Sequence, residues 1–348
     1  MGRAAAELPK SARAQLAVAC RICGATSGID VVPLVEMLFG TRERFEYRHC
    51  GTCGVMWLDE PPADLARFYP TAYYAPPDPE GGTRPRRSRR LLVDELAAQK
   101  LFGGHRVGAG VARRLGRTVP REASALRPFV RAAGLRSFGD PILDVGCGPV
   151  PERLLQLAAV GFRHLLGIDP MVPGERTIGG VEVQPRTIHE VDGRYALITF
   201  HHSFEHVPDP RDTLLAASRL LRPGGTILIR MPVMGTWFWT TYGTHWWELD
   251  PPRHLFIHTE RSLGLLANEV GLSVERVQYD STFVEILASD QIALDIPWRD
   301  PRSCRLRLDE PEQAEAIRIA TQRVIALNTE SRGGRAAFYL RAPAAAVG

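Results

Sequence analysis

The sequence predicts an α/β protein with a doubly wound, Rossmann-like sheet, and three observations lead to this class. The apolar run at residues 142–145 is typical of a buried strand and ends at a glycine turn. Residues 152–158 then have the composition of a helix, and a second short apolar run at 165–168 ends on Asp169. A strand–turn–helix–strand unit of this kind binds a nucleoside at the carboxyl ends of parallel strands.

The glycine turn indicates that the nucleoside is not a dinucleotide. The dinucleotide fingerprint G-x-G-x-x-G requires a third glycine where this chain has Pro151. Gly146 and Gly148 lack Cβ atoms, so the backbone can approach a ligand closely and adopt positive φ. Asp144, at the end of the first strand, suits a ligand with an ammonium or amide group. Asp169 lies where a carboxylate can accept hydrogen bonds from both ribose hydroxyls.

These residues resemble the first motif of the class I S-adenosylmethionine (SAM) methyltransferases, (E/D)-x-G-x-G-x-G. Asp144, Gly146 and Gly148 match the motif, and Val150 replaces its last glycine. The resemblance covers residues 130–345 and continues in the family's order with a strand at 195–200, EHVPDP at 205–210, a helix at 211–221, LRPGG at 221–225, and strands at 226–230, 274–279 and 336–340.

The resemblance implies SAM as the cofactor and a seven-stranded sheet, whereas a nucleotide-binding domain of another kind is the alternative. It also implies a set of cofactor contacts that follow the strands, namely Asp144, Gly146, Cys147, Gly148, Asp169, His201 and His202.

Two identical C-x-x-C-G knuckles precede this region, with 26 residues between Cys23 and Cys50. Their four thiols, from Cys20, Cys23, Cys50 and Cys53, would form a tetrahedral S4 shell, which zinc favours. Four protein ligands leave no open position, so the metal is expected to be structural; a rubredoxin-like iron site is the alternative. The segment 20–74 also resembles the amino-terminal zinc module of bacterial methyltransferases linked to sugar and polysaccharide modification.

Three regions are expected along the 348 residues: a zinc-binding module at 1–75, a linker and helical cap at 76–130, and a SAM-binding domain at 131–348 with an insertion at about 281–332. The 43 basic and 39 acidic residues nearly balance and form no recognisable binding motif, so nucleic acid is not an expected partner. No apolar run reaches membrane-spanning length. A cytoplasmic location agrees with SAM as a cytosolic cofactor.

A catalytic base is expected in the loop after the strand at 195–200, because acceptors bind on loops above the carboxyl ends of the strands. His206 is the first candidate, since related sugar C-methyltransferases are thought to use a histidine in this stretch as the base. Glu205 is an alternative, and His254, in a P-R-H-L segment found in the same group, is a second candidate. A purely structural role for these side chains is the competing interpretation.

The segment 237–254 contains four of the six tryptophans and is the expected acceptor-binding loop. Its candidate substrate contacts are Trp237, Tyr242, His245, Trp246 and Arg253, of which the last could hold a carboxylate or phosphate. The alternative interpretation is an aromatic lid that packs on the following helix.

Together these features predict a SAM-dependent methyltransferase with a structural zinc ion, acting on a small hydroxylated metabolite such as a sugar or natural-product intermediate. O-methylation is favoured over C-methylation, because the sugar C-methyltransferases with a zinc module carry a further carboxyl-terminal domain. An rRNA or tRNA methyltransferase that uses the zinc module to bind RNA, and a non-catalytic SAM-binding protein, are the alternatives. The insertion is a possible homodimer contact.

Overall fold

The computed structural model describes residues 18–69, 87–104 and 106–342, with side chains of the second range from residue 93 onward. The predicted boundary near residue 75 lies outside these ranges. The strands are β1 (Ile29–Val35), β2 (Arg44–Cys50), β3 (Met56–Leu58), β4 (Ile142–Val145), β5 (Leu165–Ile168), β6 (Arg176–Ile178), β7 (Val181–Gln184), β8 (Tyr195–His201), β9 (Leu221–Pro232), β10 (Phe256–Ile257), β11 (Ser273–Tyr279) and β12 (Arg335–Arg341).

The helices cover both faces of the larger sheet and supply its connections. They are α1 (Arg87–Phe102), α2 (Val107–Arg114), α3 (Arg121–Ala132), α4 (Glu152–Val160), α5 (Pro210–Leu220), α6 (Trp237–Tyr242), α7 (Glu260–Glu269), α8 (Phe283–Ala293) and α9 (Ala314–Thr329). Among the described residues, no helix has the length and apolarity needed to cross a membrane.

The larger sheet has the strand order β11-β12-β9-β8-β4-β5-β7-β6. Strands β9, β8, β4, β5 and β7 are parallel, and β12 pairs antiparallel with both β9 and β11. This confirms the α/β class and the final antiparallel pair, but the sheet has eight strands and not the predicted seven. Six strands were located in the sequence, and neither β6 nor β7 is among them; β6 has three residues and pairs antiparallel with β7 at the sheet edge. Its residues Arg176–Ile178 form no apolar run, so the sequence gives no signal for it.

The smaller sheet joins the amino-terminal region to the rest of the chain. Its order is β1-β2-β3-β10, so its last strand comes from the segment that follows the P-R-H-L motif. Phe256 in β10 pairs with Trp57 in β3, and the hydroxyl of Tyr47 donates to the carbonyl of His254 at 2.8 Å. Trp57 and Tyr47 also belong to the same buried core as Phe200 of the larger sheet.

The segment between β11 and β12, expected as an insertion at about 281–332, contains α8 and α9. Helix α9 begins at Ala314, directly after a short 3-10 turn that starts at Pro311. Helices α8 and α9 pack against each other, and α8 also contacts α6 and the short helical turns at 243–249. This segment therefore lies over the aromatic loop at 237–254.

Candidate functional site

A cavity of about 230 Å³ opens at the carboxyl ends of β4 and β8, beside the first turn of α4. It lies where the strand–turn–helix pattern places a nucleoside. Its lining residues are Asp144, Gly146, Cys147, Val150, Glu152, Arg153, Gln156, His201 and Arg230. Four of the seven predicted cofactor positions therefore line one cavity, whereas Gly148, Asp169 and His202 are not among its lining residues.

Asp144 is a buried carboxylate held by the neighbouring strand. Its Oδ1 accepts a hydrogen bond from the hydroxyl of Thr199 in β8 at 2.6 Å, and only 4% of the residue is exposed. Burial raises the pKa of Asp144 to about 6, although the bond from Thr199 opposes this shift. A buried carboxylate at a cavity wall favours a ligand group that donates hydrogen bonds or carries positive charge.

Gly146 is the most constrained position of the glycine turn. It has a φ of 73°, and a Cβ at this position would lie 2.4 Å from the Cβ of Ser203. The hydroxyl of Ser203 donates to the carbonyl of Val145 at 2.6 Å and so fixes the loop after β8 against the end of β4. Gly148 also has positive φ, but open space surrounds it. The turn therefore requires glycine at 146 for both backbone conformation and space.

Asp169 lies at the end of β5, as predicted, and is fixed by two backbone groups. Its Oδ2 accepts from the N–H of Gly148 at 3.0 Å, and its Oδ1 accepts from the N–H of Met171 at 2.8 Å. The carboxylate thus braces the glycine turn and keeps further lone pairs on both oxygens. Cys147 packs beside Gly167 of β5, and burial raises the pKa of its thiol, as expected for an ordinary small side chain and not a nucleophile.

Two arginines line the cavity although the sequence analysis gave them no role. Arg153 stands on the first turn of α4, and Arg230 stands near the end of β9. Burial, Arg153 and Arg230 together lower the pKa of His201 to about 3, so this imidazole is neutral. The Nε2 of His201 is buried and has no hydrogen-bond partner among the described residues. Their positions in the sequence could have indicated this, since Arg153 lies in the first turn of the helix after the glycine turn and Arg230 ends a predicted strand.

The three candidate catalytic residues meet in one cluster. One potential ligand atom each of Glu205, His206 and His254 lies within 4.8 Å of the other two, and the two imidazole rings are 4.8 Å apart. Glu205 is 0% exposed and His254 is 6% exposed, whereas His206 is half-buried. Burial and the neighbouring His206 lower the pKa of His254 to about 4. The sequence named these residues separately, and the fold brings them together.

His202 connects this cluster to the cofactor-type cavity. Its Nε2 accepts from Nη1 of Arg230 at 2.5 Å, and its Nδ1 lies 3.3 Å from Oε1 of Glu205. The predicted cofactor contact His202 therefore lies between the cavity wall and the buried carboxylate.

Two of the predicted substrate contacts lie in the interior, which corrects their expected position. Arg253 is 1% exposed and forms ion pairs with Asp250 and, at 3.0 Å, with Glu36. It binds a carboxylate, as the sequence suggested, but the carboxylates belong to the protein. Trp246 is also 1% exposed and stacks in a tilted geometry near Phe238. Both side chains hold the loop to the core.

The other three predicted substrate contacts, Trp237, Tyr242 and His245, do not line the cavity at Asp144. Trp237 lines a separate cavity of about 320 Å³ near the end of β9, and its ring lies 4.9 Å from the guanidinium of Arg323. The hydroxyl of Tyr242 donates to Asp290 of α8 at 2.8 Å, and His245 is exposed. No described residue lines both this cavity and the cavity at Asp144.

The four knuckle cysteines converge as their spacing predicts. The Sγ atoms of Cys20 and Cys53 are 3.6 Å apart, and those of Cys23 and Cys50 are 3.7 Å apart. All four ligand atoms lie within 4.8 Å of one another. Although burial raises the pKa of the Cys50 thiol, N–H groups of the second knuckle lower it to about 7. The donor set and its geometry fit a tetrahedral metal ion.

In comparisons with known proteins, residues 112–277 match a family model described as a methyltransferase domain. An uncharacterized 37.1 kDa protein in a transposon of Streptomyces fradiae is 29% identical, covering 50% of this chain and 59% of its own length. A ubiquinone biosynthesis O-methyltransferase of Aeromonas salmonicida is 33% identical, covering 26% and 43%. The chain thus spans about half the length of these curated relatives.

Among solved structures, the cyclopropane synthase MmaA2 from Mycobacterium tuberculosis matches 64% of this chain and 85% of its own, with 15% identity and a TM-score of 0.38.

Proposed function

Because residues 112–277 carry a methyltransferase domain, we propose that this chain transfers a methyl group from SAM to a small hydroxylated metabolite, such as a sugar or natural-product intermediate. The observation that carries the proposal is the cavity of about 230 Å³ at the carboxyl ends of β4 and β8, which is lined by Asp144 and Gly146 of the family's motif. O-methylation is favoured over C-methylation. The ubiquinone O-methyltransferase relatives are compatible with an oxygen acceptor but match only a short part of this chain.

The residues of the cavity fit SAM. The backbone at Gly146 and Gly148 can approach the ligand without a Cβ in between, and the buried carboxylate of Asp144 can accept from the ammonium of the methionine moiety. Asp169 offers lone pairs to the ribose hydroxyls, while Cys147, His201 and His202 complete the surroundings. The bound cofactor supplies an electrophilic methyl group, so the chain's own task is to position the acceptor and receive its proton.

Replacing Asp169 by alanine is expected to weaken SAM binding by about tenfold or more, because each lost hydrogen bond to a charged group is worth about 1.5–3 kcal/mol. The variant also loses the brace on the N–H of Gly148, to which Oδ2 is bonded at 3.0 Å. Isothermal titration with SAM would measure the effect. Asp192→Ala, at an exposed carboxylate outside the cavity, is the control. Unchanged affinity of the Asp169 variant would show that the ribose lies elsewhere.

The acceptor proton is assigned to the cluster of Glu205, His206 and His254. His206 is the favoured base because it is half-buried and so reachable, whereas burial keeps His254 neutral and weakly basic. Trp237, Tyr242 and His245 remain the proposed acceptor contacts on the loop. Trp246 and Arg253 support that loop from the interior.

Methyl transfer itself is tested with radiolabelled SAM and fractionated extract of the host cell, followed by identification of the labelled product. Wild-type protein is expected to label one small hydroxylated metabolite, and His206→Ala to reduce the rate by about 10²–10⁴-fold, the usual contribution of a general base. His189→Ala, an exposed histidine outside the site, is the control. Full turnover by both His206→Ala and His254→Ala would refute the base assignment, and an SAM-binding protein that labels nothing would favour a sensor.

We also propose that Cys20, Cys23, Cys50 and Cys53 bind a structural zinc ion. The Cys53→Ser variant is expected to lose one equivalent of zinc relative to wild type, and to unfold at a markedly lower temperature because a structural zinc site contributes folding free energy. Metal analysis and thermal unfolding of anaerobically purified protein would measure both. Cys304→Ser, at a thiol outside the cluster, is the matched control. Equal zinc content in the two variants would contradict the site.

A further inference from the structure

We propose that Glu205, His206 and His254 bind a divalent transition-metal ion, at a second metal site distinct from the four cysteines. One ligand atom of each residue lies within 4.8 Å of the others, which is close enough for all three to reach one ion. Two imidazoles and one carboxylate form a donor set that suits zinc and other first-row divalent ions. The hydrogen bonds around the cluster show which atoms can bind the ion.

In both histidines Nδ1 is bonded to a backbone carbonyl, which leaves Nε2 as the nitrogen that can bind a metal ion. Nδ1 of His206 lies 2.7 Å from the carbonyl oxygen of Arg253, and Nδ1 of His254 lies 2.7 Å from that of Glu248. A carbonyl oxygen can only accept, so each Nδ1 carries the proton, and Nε2 of the neutral ring is an acceptor. The hydroxyl of Tyr69 also lies 3.2 Å from Nδ1 of His206 and does not alter this assignment. Metal-binding histidines are commonly oriented by such carbonyl bonds.

Glu205 faces these acceptors, and the donor beside it is the Nδ1–H of His202, since Nε2 of that ring accepts from Arg230. The residue is 0% exposed, and neither carboxylate oxygen has a hydrogen-bond partner among the described residues. Nε2 of His254 lies 3.9 Å from Oε1, so one lone pair faces another. The Nδ1 of His202 is 3.3 Å from Oε1 but outside hydrogen-bond geometry. A buried unpaired carboxylate is costly, and a cation among the three acceptors would satisfy all of them.

Two arginines near the cluster are bound to other residues. The guanidinium of Arg253 is directed to Asp250 and Glu36, and Arg230 reaches the cluster only through His202. Three protein ligands also leave coordination positions open, as in catalytic metal sites, and these are available to an oxygen of the acceptor. In this respect the inference deepens the proposed function and rests on it: an ion held here would lower the pKa of a hydroxyl bound to it, so His206 would act as a ligand of the ion and not as the base. Metal binding itself can be measured without activity.

The test is a Co²⁺ titration of the full chain with its cysteine site filled with zinc. Wild type is expected to bind one equivalent of Co²⁺, with visible d–d absorption but no thiolate-to-cobalt charge-transfer band, because no sulfur is among the ligands. Glu205→Gln and His254→Ala should each weaken this binding by about 100-fold or more, since each removes a direct ligand and loss of a supporting partner alone costs about 10–100-fold. The zinc content should not change in either variant.

Glu285→Gln is the matched control, because Glu285 is also 0% exposed but lies in an ion pair with Arg335. It should retain the Co²⁺ equivalent, and thermal unfolding of each variant checks that the fold persists. Wild type that binds no Co²⁺ beyond the cysteine site, or binding that survives in a folded Glu205→Gln variant, would overturn the inference. SAM binding and methyl transfer are measured on the same samples. Methyl transfer without a second metal would refute only this site, and a second metal without methyl transfer would refute only the proposed function.

Discussion

The Gly146→Ala variant is expected to lose at least 100-fold in SAM affinity while remaining folded. An alanine Cβ would lie 2.4 Å from the Cβ of Ser203, and the position has a φ of 73°, which is unfavourable for any residue with a side chain. The turn can relieve the overlap only if the loop after β8 or the end of β4 moves. Either movement displaces the backbone that would contact the cofactor, so the loss concerns binding more than stability.

Titration calorimetry with SAM would measure this effect, with thermal unfolding as the check on the fold. Gly174→Ala is the matched control, because a Cβ there meets no atom within 4 Å and its φ is not positive. The control should bind SAM as wild type does. Wild-type affinity in Gly146→Ala would show that the cofactor does not contact this turn.

Removing the charge of Arg253 is expected to lower the free energy of unfolding by about 3–5 kcal/mol, the usual cost of leaving a buried ion pair without one partner. In Arg253→Met, Glu36 would remain fully buried, and Asp250 would lose its ion-pair partner. The two carboxylates are far apart in the chain, since Glu36 directly follows β1 and Asp250 precedes β10. The loss should therefore weaken the attachment of the amino-terminal sheet.

Urea unfolding at neutral pH would measure this loss, provided that the transition is two-state. Arg318→Met is the control, because its ion pair with Glu315 is exposed on both sides, at 54% and 67% of the side chains, and such pairs contribute little to stability. A difference below 1 kcal/mol between the two variants would contradict a structural role for Arg253. In that case the residue would again be a candidate for binding the acceptor.

Local sequence patterns predicted those elements that a short segment specifies by itself. The apolar runs, the glycine turn and the acid after β5 lie within about one βαβ unit, and their order indicated both the sheet and the enzyme class. The two cysteine knuckles likewise predicted that four thiols converge, because each knuckle positions two of them. Strand β6 was missed because three residues without an apolar run carry no pattern.

The function of the aromatic loop could not be derived in this way. Trp246 and Arg253 are residue types that often contact ligands. In the structure both are buried, in the loop that the pairing of β10 with β3 holds against the core. Strand β10 has two residues and forms because a partner strand about 200 positions earlier supplies its hydrogen bonds. Glu36, which neutralises Arg253, carries no local signal of its role.

Short-range patterns were enough to predict the nucleoside-binding unit and the cysteine cluster, since spacing at a strand end or within a knuckle specifies them, whereas the candidate bases came from the resemblance to the methyltransferases. The fold brings Glu205, His206 and His254 into one cluster and leaves both oxygens of Glu205 without a hydrogen bond from the described residues. The reason is physical: burial and hydrogen-bond satisfaction depend on segments far apart in the chain. His254 contacts His206 because Tyr47 of the smaller sheet binds the carbonyl of His254 and holds the loop that contains it near the end of β8.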